Sequence, residues 1–540
     1  MRRASSENGP VDRSKSEPDD GSINGGPVVG EPPGTGFRHG EREGREEPGD
    51  RAGGRAEGSD FLQLDIGEAP SGGRADWLAE QLRRAVSDGR LPLGSRLPAT
   101  RVLAAELHVS RGVVTEAYRR LAEDGHVAGR GRGGTVVVAA PDRAPPSPGP
   151  RDSRRQASRQ DLFGVPPGED VFDLVRSAPA RVDLSPGVPD LAAFPRVAWL
   201  RAEREVFAGL PASGFGYGDP RGTPQLRRAV AHWLARNRGI AADPDEVIVV
   251  AGTAQALALT GQVLRAEGIE EIAVEDPGSL GVRQHLNRQG LRTPPVAVDA
   301  EGVRVDQLAG HRAVLLTPAH QFPTGVVLGG ARRRELMRWA ADGGLIVEDD
   351  YDAEHRYDRP PVPALRSMLP ERVCYAGSVS KLLAPALRTG WLLAPAGLHD
   401  ALVSAKRFAD LGNAALPQLV LARLMESGEL ERHLRLLRRR HRRRRDVMIT
   451  AIRDHLPGAV VHGAAAGLHL LITFEEGAAA ACADTELAAA ALARGVKVHP
   501  LSWHRLRPGP PGLLLGYAAS PATAVTDGVA AIGAAVRDIR

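Results

Sequence analysis

Lysine is scarce in this 540-residue chain: it occurs only as Lys15, Lys381, Lys406 and Lys497, and arginine supplies the remaining positive charge. Chemistry that needs a primary amine is therefore confined to four side chains. Cysteine is scarcer, with only Cys374 and Cys482, far apart and without a histidine pattern nearby, which excludes a disulfide framework and a zinc site. No run of about 18 apolar residues occurs, so no membrane helix is expected. Met1-Arg2-Arg3-Ala4 leads into Ser, Gly, Pro and acids rather than the apolar core of a signal peptide. A cytoplasmic protein with no membrane partner is the expectation. Net charge is also nearly absent: 70 Lys+Arg against 66 Asp+Glu leaves +4, too balanced for a polycation that coats nucleic acid. Any basic site must be local.

At about 150 residues per domain, the length implies several folding units. Residues 1–73 mix Gly, Pro, Ser, Arg and Glu and bury too little apolar surface to offset chain entropy, which predicts a disordered tail. A unit at 74–140 follows, then a Pro/Arg/Ser-rich linker over 141–180 whose end, near Phe163 and Val171, could dock on a neighbour. From 181 to 540 short apolar runs (Val247–Val250, Ile272–Val274, Ala313–Leu316, Leu345–Val347) alternate with helical patterns. That alternation predicts an α/β domain with a largely parallel sheet.

In the 74–140 unit, Trp77, Leu78, Leu82, Ala85 and Val86 recur at helical spacing up to Asp88-Gly89. A second helix is expected from Leu97-Pro98-Ala99 to Leu107, with Pro98 near its start. His108-Val109-Ser110 reads as a turn, with Ser110 capping a third helix, Arg111 to about Asp124, by accepting a backbone N–H. HVAGRGRGGTVVV then reads as a two-stranded wing with Arg130 and Arg132 at its glycine-rich tip. This is a winged helix-turn-helix pattern, whose third helix enters the major groove of duplex DNA.

In the larger region the lysines mark where amine chemistry can lie. Lys381 follows a strand at Val373–Ala376, with Ser378 and Ser380 before it and Arg388 after it. Such a lysine can form a Schiff base to an aldehyde whose phosphate the hydroxyls and guanidinium hold, which describes pyridoxal phosphate. Alone, the string would also fit a surface lysine in a serine-rich turn. Three further strand ends converge on the first reading. Glu348-Asp349-Asp350-Tyr351 offers a carboxylate for a pyridinium nitrogen and a phenol for the ring oxygen. Gly252-Thr253-Ala254-Gln255 opens a helix whose amides suit a phosphate. Pro323-Thr324-Gly325 makes a tight turn at the same sheet edge, where open α/β sheets bind ligands.

Two resemblances follow from these residues. LPATRVLAAELHVSRGVVTEAYRRL, positions 97–121, resembles the GntR-type winged helix. YGDPRGTPQLR, EDPG, TPAHQFPTG, EDDYDAEHRY and SVSKLLAPALRTGW resemble a fold-type I aminotransferase. The fusion of the two looks like the MocR family of bacterial transcription regulators. The resemblance implies Arg101 and Arg111 on phosphates or a base edge, Ser110 on the backbone, and Val113 and Thr115 on the same DNA face. It makes Lys381 the internal-aldimine lysine, Asp349 the pyridine partner and Tyr351 the ring-oxygen partner. Thr253, Ala254, Ser378, Ser380 and Arg388 hold the phosphate, and Tyr217 reaches the phosphate of the opposite subunit, implying a homodimer. The aminotransferase-like region divides into a large domain at about 210–400 and a small one at about 181–209 plus 401–540.

The chain departs from the family in three places. Ser279 and Leu280 stand where relatives carry an aromatic that stacks on the ring, so stacking is weaker or supplied elsewhere. Leu514 stands where a C-terminal strand carries the arginine that clamps a substrate carboxylate; Arg505 or Arg507 could substitute. Val113 also replaces a common threonine, exchanging a polar DNA contact for an apolar one. The run Arg438–Arg445 reads as a cationic helix, either solvated and paired with acids or touching phosphate. Two functions compete: a regulator, bound to operator DNA on the bacterial nucleoid, that senses pyridoxal phosphate or an amine, and an aminotransferase that carries a DNA-binding head. The missing clamp favours the regulator over an enzyme.

Overall fold

The computed structural model describes residues 62, 64–70, 72–129, 131, 134–138, 162–358, 362–477 and 479–539, all within one compact unit, Gly58–Arg540. Arg130 and Arg132 lie outside the described residues.

The head comprises α1 (Arg74–Ser87), α2 (Thr100–Glu106) and α3 (Arg111–Glu123), followed by antiparallel strands β1 (Val127–Gly129) and β2 (Thr135–Val137). Leu78, Leu82, Leu103, Val114, Ala117 and Leu121 recur at helical spacing and close one apolar core. That core reaches back to Leu64, upstream of the boundary drawn from composition. Two local expectations are corrected. Helix α2 starts at Thr100 with Ala99 as its N-cap, so Pro98 lies before the helix. Ser110 does occupy the N-cap of α3, but its hydroxyl makes no capping bond; its backbone carbonyl accepts Val113 N–H at 3.0 Å instead.

Past the head, β3 (Val182–Asp183) precedes the strands of the main sheet: β4 (Ile248–Val250), β5 (Ala273–Asp276), β6 (Pro295–Asp299), β7 (Gly302–Val303), β8 (Ala313–Leu316), β9 (Leu345–Asp350), β10 (Val373–Ser378) and β11 (Gly390–Leu393). Their order is β4-β11-β10-β9-β8-β5-β6-β7, parallel from β10 through β6, with β11 and β7 antiparallel to their neighbours. Strands β8 and β10 are buried along their whole length, as expected when helices cover both faces of a parallel sheet.

A second, antiparallel sheet is ordered β12 (Ala459–His462), β13 (His469–Phe474), β16 (Gly512–Gly516), β15 (His499–Pro500), while β14 (Val496–Lys497) pairs with β3. Leu162, Phe163, Val171 and Val175, all within the stretch read as a linker over 141–180, the last two on its helix Val171–Ser177, join the core of this layer. Phe163 stacks on Trp503 at 5.2 Å. Among the described residues, no helix is long and apolar enough to cross a membrane.

The arginine run lies in one long helix, Glu429–His455, and the fold divides it. Arg438, Arg444 and Arg445 turn inward onto Glu354 O (2.6 Å), Asp190 (2.9 Å) and Ala464 O (2.7 Å). Arg435, Arg439 and Arg442, on one face at helical spacing, stay exposed.

Candidate cofactor and DNA-binding sites

Strand alternation sorts the three acids at the end of β9. Glu348 accepts the amides of Leu365 (3.0 Å) and Arg366 (3.1 Å), and Asp350 takes Arg238 Nε and the Tyr375 hydroxyl, each at 2.5 Å. Both are occupied by the fold. Asp349, on the opposite face, is buried with its Oδ1 unpaired. Burial, reinforced by Asp350 and Asp352 and opposed by Lys381, raises its carboxyl to about 7.

Lys381 follows β10, and its Nζ donates to the carbonyl of Gly187. Burial lowers its amine below the ordinary value, against the pull of Asp352 and Asp349. The Tyr351 hydroxyl donates to His320 O at 3.2 Å and lies 3.0 Å from His320 Nδ1, which also meets Asp352 at 3.0 Å. Burial holds the phenol well above its usual range, so it is a neutral donor.

Beside this group, Gly252 (φ +81°) turns the chain into the helix Thr253–Ala266, which has no side-chain cap. The amides of Thr253 and Ala254 have no backbone acceptor among the described residues. Arg388, itself left-handed at φ +46°, bonds the Ala251 carbonyl, and its guanidinium passes 3.5 Å from where a Cβ on Gly252 would stand. Ser378 is buried and its Oγ accepts the Ser380 amide at 3.2 Å. Helix amides, hydroxyls and a guanidinium thus gather at adjoining strand ends, a cradle suited to an anion. Tyr217 is apart from it, 96% exposed.

Sequence reasoning missed the residues that brace this cradle. Lys406 is fully buried, with Nζ on Gln255 Oε1 (3.0 Å), Asp410 Oδ2 (2.6 Å) and Asn413 Oδ1 (2.5 Å). Gln255 Oε1 in turn accepts the Ala251 amide at 2.8 Å, and Asn413 Nδ2 donates to Arg388 O at 3.1 Å. The one local signal for Lys406 is its helical spacing to Asp410; Gln255 comes from a distant segment and meets it only in the fold. His320 stood inside a quoted string, but only the fold brings it to Tyr351.

On the clamp strand, Leu514 is buried against Leu471, Leu501 and Phe322. Arg505 and Arg507 donate to the carbonyls of Pro510 (2.8 Å) and Pro295 (3.0 Å). Near Phe322, burial keeps His469 (about 3) and His504 (well below its ordinary value) neutral. The side chains packed on Leu514 are therefore apolar, and its strand partner His499 is also kept neutral by burial. Ser279 caps the helix Leu280–Arg288 by accepting Val282 N–H at 3.4 Å.

In the head, Arg101, Ser110, Arg111 and Thr115 are exposed and Val113 is half-buried, opposite the buried Val114, Ala117 and Leu121. Arg111 Nε donates to Thr100 Oγ1 at 3.3 Å, tying α3 to α2. No acid occupies the first turn of α3; its acids, Glu116 and Glu123, pair with Arg119 further along. The exposed N-terminal half of the helix is thus free to meet phosphate.

Residues 180–530 match the family of aminotransferases class I and II, and residues 74–137 match the gntR family of bacterial regulatory proteins. Among curated relatives, the pyridoxine biosynthesis transcriptional regulator PdxR of Corynebacterium glutamicum is 34% identical, covering 73% of this chain and 82% of its own. The probable rhizopine catabolism regulatory protein MocR of Rhizobium meliloti is 31% identical over 84% of this chain and 91% of its own. Among solved structures, the multiple substrate aminotransferase of Thermococcus profundus superposes with a TM-score of 0.62 at 27% identity, covering 68% of this chain and 93% of that one.

Proposed function

This chain belongs to the MocR family of transcription regulators, a gntR-type winged helix joined to a class I and II aminotransferase domain, and we propose that it binds pyridoxal phosphate at Lys381 and lets occupancy of that site set its affinity for operator DNA. The observation that carries the reading is buried Asp349, whose Oδ1 is unpaired and which, unlike Glu348 and Asp350 beside it, accepts no hydrogen bond from the described residues. A buried polar atom without a partner is rare and costly, and a protonated ring nitrogen is the partner this one lacks.

The residues present fit the cofactor. Asp349 holds the proton on the ring nitrogen, and Tyr351 donates to the ring oxygen. The amides of Thr253 and Ala254, with Ser378, Ser380 and Arg388, take the phosphate, and Lys381 supplies the amine. Bound there, pyridoxal phosphate would contribute an aldehyde and an electron-withdrawing ring. Tyr217, standing in solvent, completes the phosphate site of a second copy, so the working form is a homodimer. Its two heads read two half-sites of an operator, through Arg101, Ser110, Arg111, Val113, Thr115 and the wing arginines Arg130 and Arg132. The protein works in the bacterial cytoplasm.

The apolar packing of Leu514 supports a regulator. Turning over an amino acid requires its carboxylate held so that the bond to be broken aligns with the ring, and Leu514 offers it only an apolar side chain packed on Leu471, Leu501 and Phe322. The signal is accordingly cofactor occupancy itself or a primary amine captured at Lys381. Operator titrations with apo and cofactor-loaded protein, beside a transamination assay, test this. Pyridoxal phosphate should shift operator affinity, Lys381→Ala should abolish both that shift and the protein-bound visible absorbance, and turnover should be negligible. Rapid multiple-turnover conversion of an α-amino acid to its keto acid would instead establish an enzyme.

A further inference from the structure

One short segment touches both the cofactor lysine and the head. The carbonyl of Gly187 (φ +77°) accepts the Lys381 ammonium, so closely that a Cβ on Gly187 would stand 3.2 Å from that nitrogen. Further along the segment, Asp190 is buried. Its Oδ2 accepts a hydrogen bond from Arg444 Nη1 at 2.9 Å and forms an ion pair, without an aligned hydrogen bond, with Arg440 Nε at 3.3 Å, while its Oδ1 has no partner among the described residues. Arg440 reaches on to the backbone carbonyl of Glu123, the last residue of α3, and Arg443 pairs with the Glu123 carboxylate at 2.5 Å. The turn at Leu191–Ala193 completes the contact: a Cβ on Gly125, just past α3, would lie 3.1 Å from Ala192 O.

The C-terminal end of the DNA-reading helix, the negative pole of its dipole, is therefore held by two arginines. One of these is anchored by Asp190, and the segment carrying Asp190 is anchored by Lys381. We propose that this face of the core is a dock for the head, and that occupancy of Lys381 governs it. The inference rests on the reading that pyridoxal phosphate attaches to Lys381. When an amine condenses with an aldehyde, both amine hydrogens leave with the carbonyl oxygen as one water, and the new C=N nitrogen carries at most one hydrogen. The ammonium thus gives up one proton and two hydrogens, and its nitrogen, now bonded to the cofactor's carbon with at most one donor left, is drawn away from the Gly187 carbonyl. The segment then loosens, Asp190 no longer positions Arg440, and the end of α3 is released. Cofactor binding shifts the head between two arrangements because only one of them contains the Lys381–Gly187 bond. Asp190 and Arg440 are positioning residues, since neither belongs to the proposed cofactor cradle or the DNA-reading face.

The test uses full-length protein, hydrogen exchange over residues 121–126, operator titration and cofactor absorbance. In the wild type, pyridoxal phosphate should raise exchange in that segment and change the operator dissociation constant on the order of tenfold. Apo Asp190→Asn should already show the raised exchange and the operator affinity of the loaded wild type, with unaltered cofactor absorbance. The exposed Arg443→Glu disturbs only the outer pair; it should also raise exchange, and adding Glu123→Arg should restore it. If apo Asp190→Asn and apo Arg443→Glu exchange like apo wild type, or if Asp190→Asn keeps the full wild-type response to cofactor, the dock is refuted. Failure of the cofactor to attach to Lys381 in the wild type, seen by borohydride reduction and peptide mapping, would refute the functional reading; the apo comparisons still decide the dock.

Discussion

The replacement Asp349→Asn isolates what the cofactor site costs the fold. Without a ligand, Asp349 is buried, its Oδ1 is unpaired, and its carboxyl is raised from 3.8 to about 7. A group whose folded value lies above its unfolded one contributes most below the unfolded value, and that contribution is lost as pH rises toward the folded one. At roughly 1.4 kcal/mol per unit, the penalty in apo protein approaches roughly 4 kcal/mol above neutral pH. The amide carries no charge to desolvate and keeps the shape. In urea unfolding of the apo protein, followed by tryptophan fluorescence, Asp349→Asn should therefore be the more stable chain at pH 8. Its advantage should grow by about 2–3 kcal/mol between pH 5 and pH 8. The same variant should bind pyridoxal phosphate far more weakly, because an amide cannot hold a charged ring nitrogen. A stability difference independent of pH, or an amide less stable at pH 8, would show that the carboxylate has a partner and that the site was not built for a missing cation.

Two further outcomes are expected. Arg111→Ala, at an exposed position in the first turn of α3, should cost about 1–3 kcal/mol of operator binding if the contact is to a base edge, and should weaken all sequences alike if it is to phosphate. An unchanged gel-shift titration at fixed salt would remove Arg111 from the interface. Lys406→Met should reduce cofactor affinity on the order of tenfold by leaving Gln255, Asp410 and Asn413 without their shared cation. An absorbance titration with inorganic phosphate as competitor measures it, and an unaltered affinity would show that the network does not brace the phosphate cradle.

Local pattern in the sequence determined a good deal. The strand runs and the head helices were legible because apolar periodicity is a property of neighbouring residues: Leu345–Val347 begins β9 and Val373–Ala376 begins β10. Lys381, Ser378, Ser380 and Arg388 could be grouped because all lie at or just past the end of one strand. Tertiary structure alone decided which acid of Glu348-Asp349-Asp350 stays idle, since the partners that occupy the other two, Leu365, Arg366, Arg238 and Tyr375, come from distant segments. It likewise divided the arginine run into inward anchors and an exposed stripe, because consecutive residues point all round a helix and only the packed neighbours define its inner side. Lys406 shows locally only its helical spacing to Asp410, and Asp190 shows nothing, for Gln255 and Arg444 lie far along the chain. Short-range spacing is written in the sequence; a buried charge acquires its meaning only from the groups that the fold brings to it.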